Sequence, residues 1–290
     1  MATPAQWLEG ARPRTLPAAV SPVLAGTGVA AYVDQAMWWK ALMALVVALA
    51  LQVGVNYAND YSDGIRGTDA DRVGPLRLVG SGAATASSVK EAALISFGVA
   101  GLFGLVLAIT TAWWIVLVGL LCIVAAWYYT GGRKPYGYHG LGEVMVFVFF
   151  GLVAVMGTTY VQIESFPLAS FYAAVGVGAL ACAILVANNL RDVPTDAEVG
   201  KRTLAVVLGD EHTRYLYAFL VAVAVIALLG LWIQTSWLAL LALVFLVPAV
   251  PALRTVLGGT TGRGLVPVLQ KTGLAELFYA AGMFVGLLLA

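Results

Sequence analysis

The sequence contains little charge. Only 11% of its 290 residues are Asp, Glu, Lys or Arg, whereas about a quarter is usual in soluble domains. Hydrophobic residues make up 61% of the chain, and the mean hydropathy is +0.91. Such a chain cannot cover a folded core with water-compatible side chains, which excludes a soluble globular domain. The formal net charge of +1 gives no reason to expect a nucleic-acid partner.

Cysteine is also scarce, with 2 residues in the whole chain. Cys122 and Cys182 lie in separate apolar runs with no CxxC pattern. This excludes a disulfide framework and a zinc knuckle, and we interpret both cysteines as small core residues.

The chain is rich in long apolar runs. A membrane-spanning helix needs about 20 apolar residues, and we count about nine such runs, with boundaries uncertain by about 2–4 residues. They are 15–32, 38–59, 90–109, 112–129, 142–161, 168–190, 213–233, 236–256 and 272–289. The sequence therefore predicts an all-α integral membrane protein in which residues 1–290 form a single domain. Glycines in these runs, such as Gly101, Gly104, Gly176 and Gly178, are typical of close helix packing.

The positions of Lys and Arg predict the orientation. With a cytoplasmic N-terminus, every basic residue except Lys40 falls on the cytoplasmic side, as the positive-inside rule requires. Nine spans would then place the C-terminus outside. We expect a multi-pass protein of a bacterial-type plasma membrane.

Two polar stretches interrupt this lipid-soluble chain, at residues 56–63 and 188–196. At about 100° per residue, Asn56, Asp60 and Asp63 share one helix face, as do Asn188, Asp192 and Asp196 in the second stretch. We call these the first and the second acidic cluster. Both fall on the predicted cytoplasmic side, and ionisable groups in a membrane helix usually mark function.

The residues around the clusters favour a metal-bridged anion. Mg²⁺ takes one or two carboxylates together with phosphate oxygens and water, and Arg and Lys clamp phosphoryl oxygens. Arg66, Arg72 and Arg77 follow the first cluster, and Lys201 and Arg202 follow the second. Diphosphate is therefore the natural ligand.

The stretches "NYANDYSDGIRGTDADRVGPLRLVGSG" and "NNLRDVPTDAEVGKRTLAV" resemble the UbiA-type intramembrane aromatic prenyltransferases along essentially the whole chain. With "ARPRTLPAAVSPVLAG" and "YYTGGRKPYGYHGLGE", the resemblance is greatest to the menaquinone branch. It implies Mg²⁺-dependent transfer of a polyprenyl group from its diphosphate to 1,4-dihydroxy-2-naphthoate, with loss of CO₂, by an active site on the cytoplasmic side.

The resemblance also implies roles for individual residues. The metal ligands would be Asp60, Asp63, Asp192 and Asp196, with support from Asn56, Asn59, Asn188 and Asp69. The diphosphate would be bound by Arg72, Arg77, Tyr129, Arg133, Lys134, Lys201 and Arg202. Candidates for acceptor binding or for a base are Glu143 and Arg14.

One position departs from the family pattern, because Gly67 stands where the first motif has its last Asp. Asp69 is the nearest acid that could replace it. Two alternatives also remain open. One is a related enzyme with another acceptor, such as 4-hydroxybenzoate, haem or a chlorophyllide. The other is a secondary transporter with an acidic ion site.

Overall fold

The structure, a computed structural model, describes residues 2–67 and 76–290. The regular elements in these ranges are all helices, which confirms the predicted fold class. We number the ten main helices α1 Pro4–Gly10, α2 Pro17–Tyr32, α3 Trp38–Arg66, α4 Ala86–Ile109, α5 Ile115–Tyr128, α6 Gly142–Ile163, α7 Leu168–Glu198, α8 Leu204–Gln234, α9 Trp237–Leu257 and α10 Gly262–Leu288. Helix α6 contains a π-helical stretch, Phe147–Met156, and short 3₁₀ helices lie at Pro13–Thr15 and Tyr136–His139.

Helical residues occupy each of the predicted apolar runs. Within the described ranges, 7 helices are long and apolar enough to cross a membrane, and the pair Pro4–Thr15 and Pro17–Tyr32, bent by 48°, brings the number to 8. Helix α5 has 14 residues, fewer than the roughly 20 that a straight span needs. The chain is thus a multi-pass membrane protein. The number of about nine spans and the orientation of the termini stay predictions.

Two helices continue well past their predicted ends. Helix α3 runs to Arg66 and α7 runs through Pro194 to Glu198, so both acidic clusters lie within regular helix. The length of the apolar run does not predict where these two helices end, because their last turns are polar.

Gly67, where the sequence departs from the family pattern, ends α3. Its φ of 72° lies in the left-handed region, and its N–H donates to the carbonyl oxygens of Asp63 and Gly64. Glycine adopts this helix-ending conformation without the steric cost that a side chain adds. The position therefore serves as a helix terminator in this chain.

Helix α7 forms the centre of the bundle. In its apolar window 72% of the residues are buried, against 28–50% in the other candidate spans. Gly178 faces the backbone of Gly151 in α6, and Gly176 lies against the Tyr279 ring of α10. These glycines permit close packing, as predicted. Gly101 and Gly104 of α4 do not take part in such packing, because a Cβ at either position would meet no atom of the described residues within 4 Å.

Lys40 is the one basic residue that the sequence does not predict on the cytoplasmic side, and its local contacts explain its position. Its side chain is buried, and Nζ donates to the Thr110 carbonyl oxygen at 3.1 Å and to the Thr111 hydroxyl at 3.0 Å. These groups lie at the C-terminal end of α4, where a cation is favourable. Lys40 thus stabilises a helix end.

Candidate active site

A single large cavity brings the two acidic clusters together. It has a volume of about 1480 Å³, above the usual range of roughly 300–1,000 Å³ for ligand pockets. Its polar lining includes Glu9, Arg12, Arg14, Asn56, Asn59, Asp63, Arg77, Tyr129, Tyr138, Asn188, Arg191, Asp196, Lys201 and Arg263. Its apolar lining includes Val47, Leu51, Gly101, Gly104, Leu105, Val116, Leu120, Phe149 and Val153. One polar region is thus joined to a long hydrocarbon-like space.

Within the first cluster, Asp60 supports the following chain segment. Its Oδ2 accepts from the Leu78 N–H at 2.7 Å and its Oδ1 from the Val79 N–H at 3.0 Å. The side chain is buried and does not line the cavity. Since Arg77 comes just before these two amides, Asp60 fixes the backbone from which Arg77 reaches the cavity.

Asp63, one turn further along α3, lines the cavity itself. Its Oδ1 accepts from the Tyr138 hydroxyl at 2.5 Å, and its Oδ2 lies 3.5 Å from Arg77 Nη2. This carboxylate therefore faces both a cation and the space for a ligand.

The two asparagines of the first cluster connect α3 to neighbouring segments. Asn56 Nδ2 donates to the Ala11 carbonyl oxygen at 2.9 Å and to Thr15 Oγ1 at 3.0 Å. Asn59 Oδ1 accepts from the Thr130 hydroxyl at 2.7 Å. Both asparagines line the cavity, and their hydrogen bonds fix the N-terminal segment and the α5–α6 loop around it.

In the second cluster, Asp192 pairs with the residue before it. Arg191 Nε and Nη2 each donate to Asp192 at 2.6 Å, and Nη2 also donates to Asn188 Oδ1 at 2.9 Å. Both charged side chains are 6% exposed. Arg191 and Asp196 line the cavity, whereas Asp192 does not. The sequence pattern did not select Arg191, because topology alone accounts for a basic residue there.

Tyr138, in the α5–α6 loop, contacts the first cluster and the basic residues that follow the second cluster. Its hydroxyl binds Asp63, and the centre of its ring lies 4.6 Å from Lys201 Nζ and 5.6 Å from Arg66 Cζ. Its carbonyl oxygen accepts from the Arg202 N–H at 3.0 Å. Sequence reasoning missed Tyr138 and favoured Tyr129 in the same tyrosine-rich segment. Both tyrosines line the cavity.

Several predicted residues lie away from the cavity. Arg133, Lys134 and Arg202 are exposed and do not line it. Glu143 is buried behind the wall, where its Oε1 accepts from Asn189 Nδ2 at 2.9 Å. Asp69 and Arg72 lie outside the described residues.

The cavity fits a metal that a diphosphate helps to hold. Among the described residues, no group of three or more His, Cys, Asp or Glu side chains is placed to bind a metal ion alone. Mg²⁺ does not require such a group, because one or two carboxylates suffice when phosphate oxygens and water complete its shell. Asp63 and Asp196, from two helices, supply carboxylates at the polar end.

The fold and the cavity define a multi-pass membrane protein with an internal site for an amphiphile that has an anionic head. The chain matches the UbiA prenyltransferase family over residues 19–261. It belongs to this family.

Close relatives carry a more specific name. The chain is 58% identical over 283 residues to a Mycobacterium tuberculosis protein named 1,4-dihydroxy-2-naphthoate octaprenyltransferase, covering 97% of this chain and 96% of the relative. An Escherichia coli protein of the same name is 38% identical, with 96% of this chain and 94% of the relative covered.

A solved structure supports the fold. It is described as a UbiA homologue from Archaeoglobus fulgidus bound to DMAPP and Mg²⁺, and it superposes with a TM-score of 0.70 over 97% of this chain and 99% of its own. The identity is 16%, so the likeness concerns the fold alone.

Proposed function

We propose that the protein transfers a polyprenyl group from polyprenyl diphosphate to 1,4-dihydroxy-2-naphthoate, releasing diphosphate and CO₂ and giving demethylmenaquinol, the reduced form of demethylmenaquinone. The observation that carries the proposal is the cavity, in which carboxylates and cations from both clusters meet one end of a long apolar space. The names of the relatives at 58% and 38% identity supply the acceptor.

The polar end accommodates the diphosphate. Arg77 and Lys201 line it and would bind phosphoryl oxygens, while Asp63 and Asp196 would hold Mg²⁺. The metal offsets the charge of the leaving group. Asp60 and Asp192 belong to the predicted ligand set too, but they accept from other groups and do not line the cavity, so we place Asp63 and Asp196 first.

The apolar space accommodates the isoprenoid tail. Leu105, Val116 and Leu120 line it and are 47–56% exposed, which supports a groove accessible from the lipid between α4 and α5. A tail in this groove places C1 of the prenyl group at the polar end. Cleavage of the C1–O bond there leaves an allylic cation, which the electron-rich naphthoate ring attacks, and the carboxylate departs as CO₂.

The acceptor would enter beside the N-terminal segment. Arg12 and Arg14 line the cavity there, and the hydrogen bonds of Asn56 to Ala11 and Thr15 hold the segment in place. Their guanidinium groups match the carboxylate of the acceptor. We place this end of the cavity on the cytoplasmic side because of the Lys and Arg distribution.

A secondary transporter is less compatible with these contacts. An ion path needs its carboxylate in the cavity wall, and the buried acid of α10, Glu276, does not line the cavity. Of the acids that do line it, Glu9 accepts from the Leu76 N–H at 3.2 Å. Asp63 and Asp196 lie among Arg and Lys residues, which favours phosphate chemistry.

The test is a transfer assay with purified protein in detergent, using octaprenyl diphosphate, Mg²⁺ and equal concentrations of dihydroxynaphthoate or 4-hydroxybenzoate. We expect demethylmenaquinol, detected as demethylmenaquinone after oxidation by air, from the first acceptor and no transfer when EDTA is present. Preference for 4-hydroxybenzoate would refute the acceptor, and full activity in EDTA would refute the metal.

A further inference from the structure

Gln52, on α3, holds a buried oxygen that accepts no hydrogen bond. The residue lies one turn before Asn56, is 7% exposed and lines the cavity. Its Nε2 donates to Thr15 Oγ1 at 3.0 Å, whereas its Oε1 is buried and has no donor among the described residues. Native proteins retain few such atoms, because a buried acceptor without a partner is destabilising, and those that remain often belong to functional sites.

The hydroxyl of Thr15 determines which end of the Gln52 amide lacks a partner. Thr15 Oγ1 donates its one hydrogen to the Arg12 carbonyl oxygen at 2.9 Å, so it can only accept from other side chains. It accepts from Gln52 Nε2 and from Asn56 Nδ2, each at 3.0 Å. Turning the Gln52 amide around would place Oε1 against an oxygen that has no hydrogen to donate. The contacts of Thr15 therefore fix Oε1 as the end without a partner.

The missing partner of Oε1 has to be a hydrogen-bond donor. Prenyl diphosphate does not supply one, because its tail is a hydrocarbon and its head is an anion that accepts hydrogen bonds. The proposed acceptor, 1,4-dihydroxy-2-naphthoate, carries two ring hydroxyls. Its carboxylate would bind Arg12 and Arg14, which lie within three residues of Thr15, and Thr15 contacts Gln52. A ring held by these arginines thus lies beside Gln52.

The position of Gln52 along α3 also suits the acceptor. Gln52 lies about three turns before Asp63, roughly 16 Å along the axis at 1.5 Å per residue. The diphosphate would occupy the Asp63 end, which leaves space for a bicyclic ring between the two residues. Leu51 and Val55 line the cavity beside Gln52 and offer apolar contacts to such a ring.

We propose that Gln52 Oε1 accepts a hydrogen bond from a ring hydroxyl of the acceptor and so selects hydroxylated aromatic acids. Thr15 is the positioning residue that orients the Gln52 amide. Because neighbouring atoms cover Oε1, the contact forms after a small rotation of the Gln52 side chain as the ring enters. The inference rests on the proposed function, since it concerns the acceptor of the same reaction.

The experiment compares two ligands that differ only in the hydroxyls, dihydroxynaphthoate and 2-naphthoate. Anaerobic calorimetry measures their affinities for the purified protein with Mg²⁺ and a non-reactive donor, geranyl S-thiolodiphosphate. Gln52→Met retains the length of the side chain but removes the acceptor atom. We expect this variant to bind dihydroxynaphthoate about 10-fold more weakly, the effect of losing one hydrogen bond. Its affinities for 2-naphthoate and for the donor should be unchanged.

Two variants of Thr15 extend the test to the orientation of the amide. Thr15→Val removes the hydroxyl and is also expected to weaken dihydroxynaphthoate binding more than 2-naphthoate binding, whereas Thr15→Ser retains the hydroxyl and should bind like the wild type. Gln234→Met, at an exposed site near the end of α8 and outside the cavity, is the matched control and should leave both affinities unchanged. Thermal melting in detergent verifies that each variant is folded, and the Thr15 pair carries the test if Gln52→Met does not fold.

The outcomes are distinguishable. If Gln52→Met weakens both ligands equally, or weakens neither, Gln52 does not bind a hydroxyl and the inference is overturned. Equal affinity of the wild type for the two ligands would overturn it as well. If the wild type neither binds dihydroxynaphthoate nor transfers a prenyl group to it, the proposed function itself fails.

Discussion

The two acidic clusters share a spacing but differ in how their carboxylates are held. In both, an Asn is followed by an Asp four residues later on the same helix face. In the first, Asp60 accepts from two backbone amides of the segment after α3. In the second, Asp192 binds the side chain of its neighbour, Arg191.

This difference shows that acids at corresponding positions of the two clusters hold arginines through different contacts. Asp60 fixes the backbone that carries Arg77, and Asp192 fixes Arg191 directly, so each inner acid holds an arginine that lines the cavity. The outer acids, Asp63 and Asp196, line the cavity themselves. Each cluster thus presents one carboxylate and one supported cation to the ligand.

The largest expected effect concerns stability. Arg191→Gln removes the guanidinium that binds both oxygens of the buried Asp192, and breaking a buried pair in this way costs about 3–5 kcal/mol. Asp60→Asn is expected to cost only about 1–2 kcal/mol, because the amide oxygen still accepts one of the two N–H groups. Unfolding in detergent measures both. Equal losses would remove the distinction between the two clusters.

The outer acids are expected to dominate activity. Asp63→Asn and Asp196→Asn should each lower kcat roughly 100-fold or more, because the metal then loses a carboxylate ligand. Prenyl transfer at saturating Mg²⁺ measures the effect. Glu91→Gln, at an exposed site on α4, is the control and should behave as wild type. Normal turnover by either Asp variant would exclude that residue from the metal site.

Tyr138→Phe tests the connection between the clusters. The variant retains the ring beside Lys201 but loses the hydroxyl that donates to Asp63 at 2.5 Å. Since partners of metal-binding carboxylates influence affinity by about 10- to 100-fold, we expect the affinity for Mn²⁺, a substitute for Mg²⁺ that electron paramagnetic resonance detects, to fall about 10-fold. Tyr215→Phe, at an exposed tyrosine, is the control. An unchanged Mn²⁺ affinity in Tyr138→Phe would separate Tyr138 from the metal site.

The smallest effect is predicted for Lys201. Lys201→Met should raise the KM for prenyl diphosphate about fivefold, since a single ionic contact contributes about 1 kcal/mol. Lys90 is a matched control, because its Nζ also lies over a tyrosine ring, at 5.9 Å from the centre of Tyr61, but it is exposed and outside the cavity. If Lys90→Met raised the KM equally, position in the cavity would not explain the effect of Lys201.

Sequence patterns predicted the helical fold and the approximate place of every apolar helix, because burial in lipid requires long apolar runs. They also located both clusters on single helix faces. They did not predict which acids face the cavity, since that depends on partners distant in sequence, such as Leu78 for Asp60 and Tyr138 for Asp63. The sequence did not indicate a role for Arg191 at the site, because the positive-inside rule already accounts for a basic residue at that position.

Some predicted positions differ from the structure for a related reason. The spacing from Tyr129 suggested Arg133 as a ligand, yet the loop turns Arg133 outward and brings Tyr138 to the cavity instead. The packing role expected for Gly101 and Gly104 was wrong, because both line the apolar part of the cavity. Tertiary contacts determine the path of a loop and the shape of a cavity. The spacing of residues along the chain carries no information about those contacts.

The most direct test of the central claim is Mg²⁺-dependent binding of a non-reactive substrate analogue, geranyl S-thiolodiphosphate, to the purified protein. We predict that EDTA weakens binding at least about 10-fold and that Asp63→Asn or Asp196→Asn alone reproduces this loss in the presence of Mg²⁺. Binding that is insensitive to EDTA, or a loss confined to variants of one cluster, would contradict a shared metal–diphosphate site.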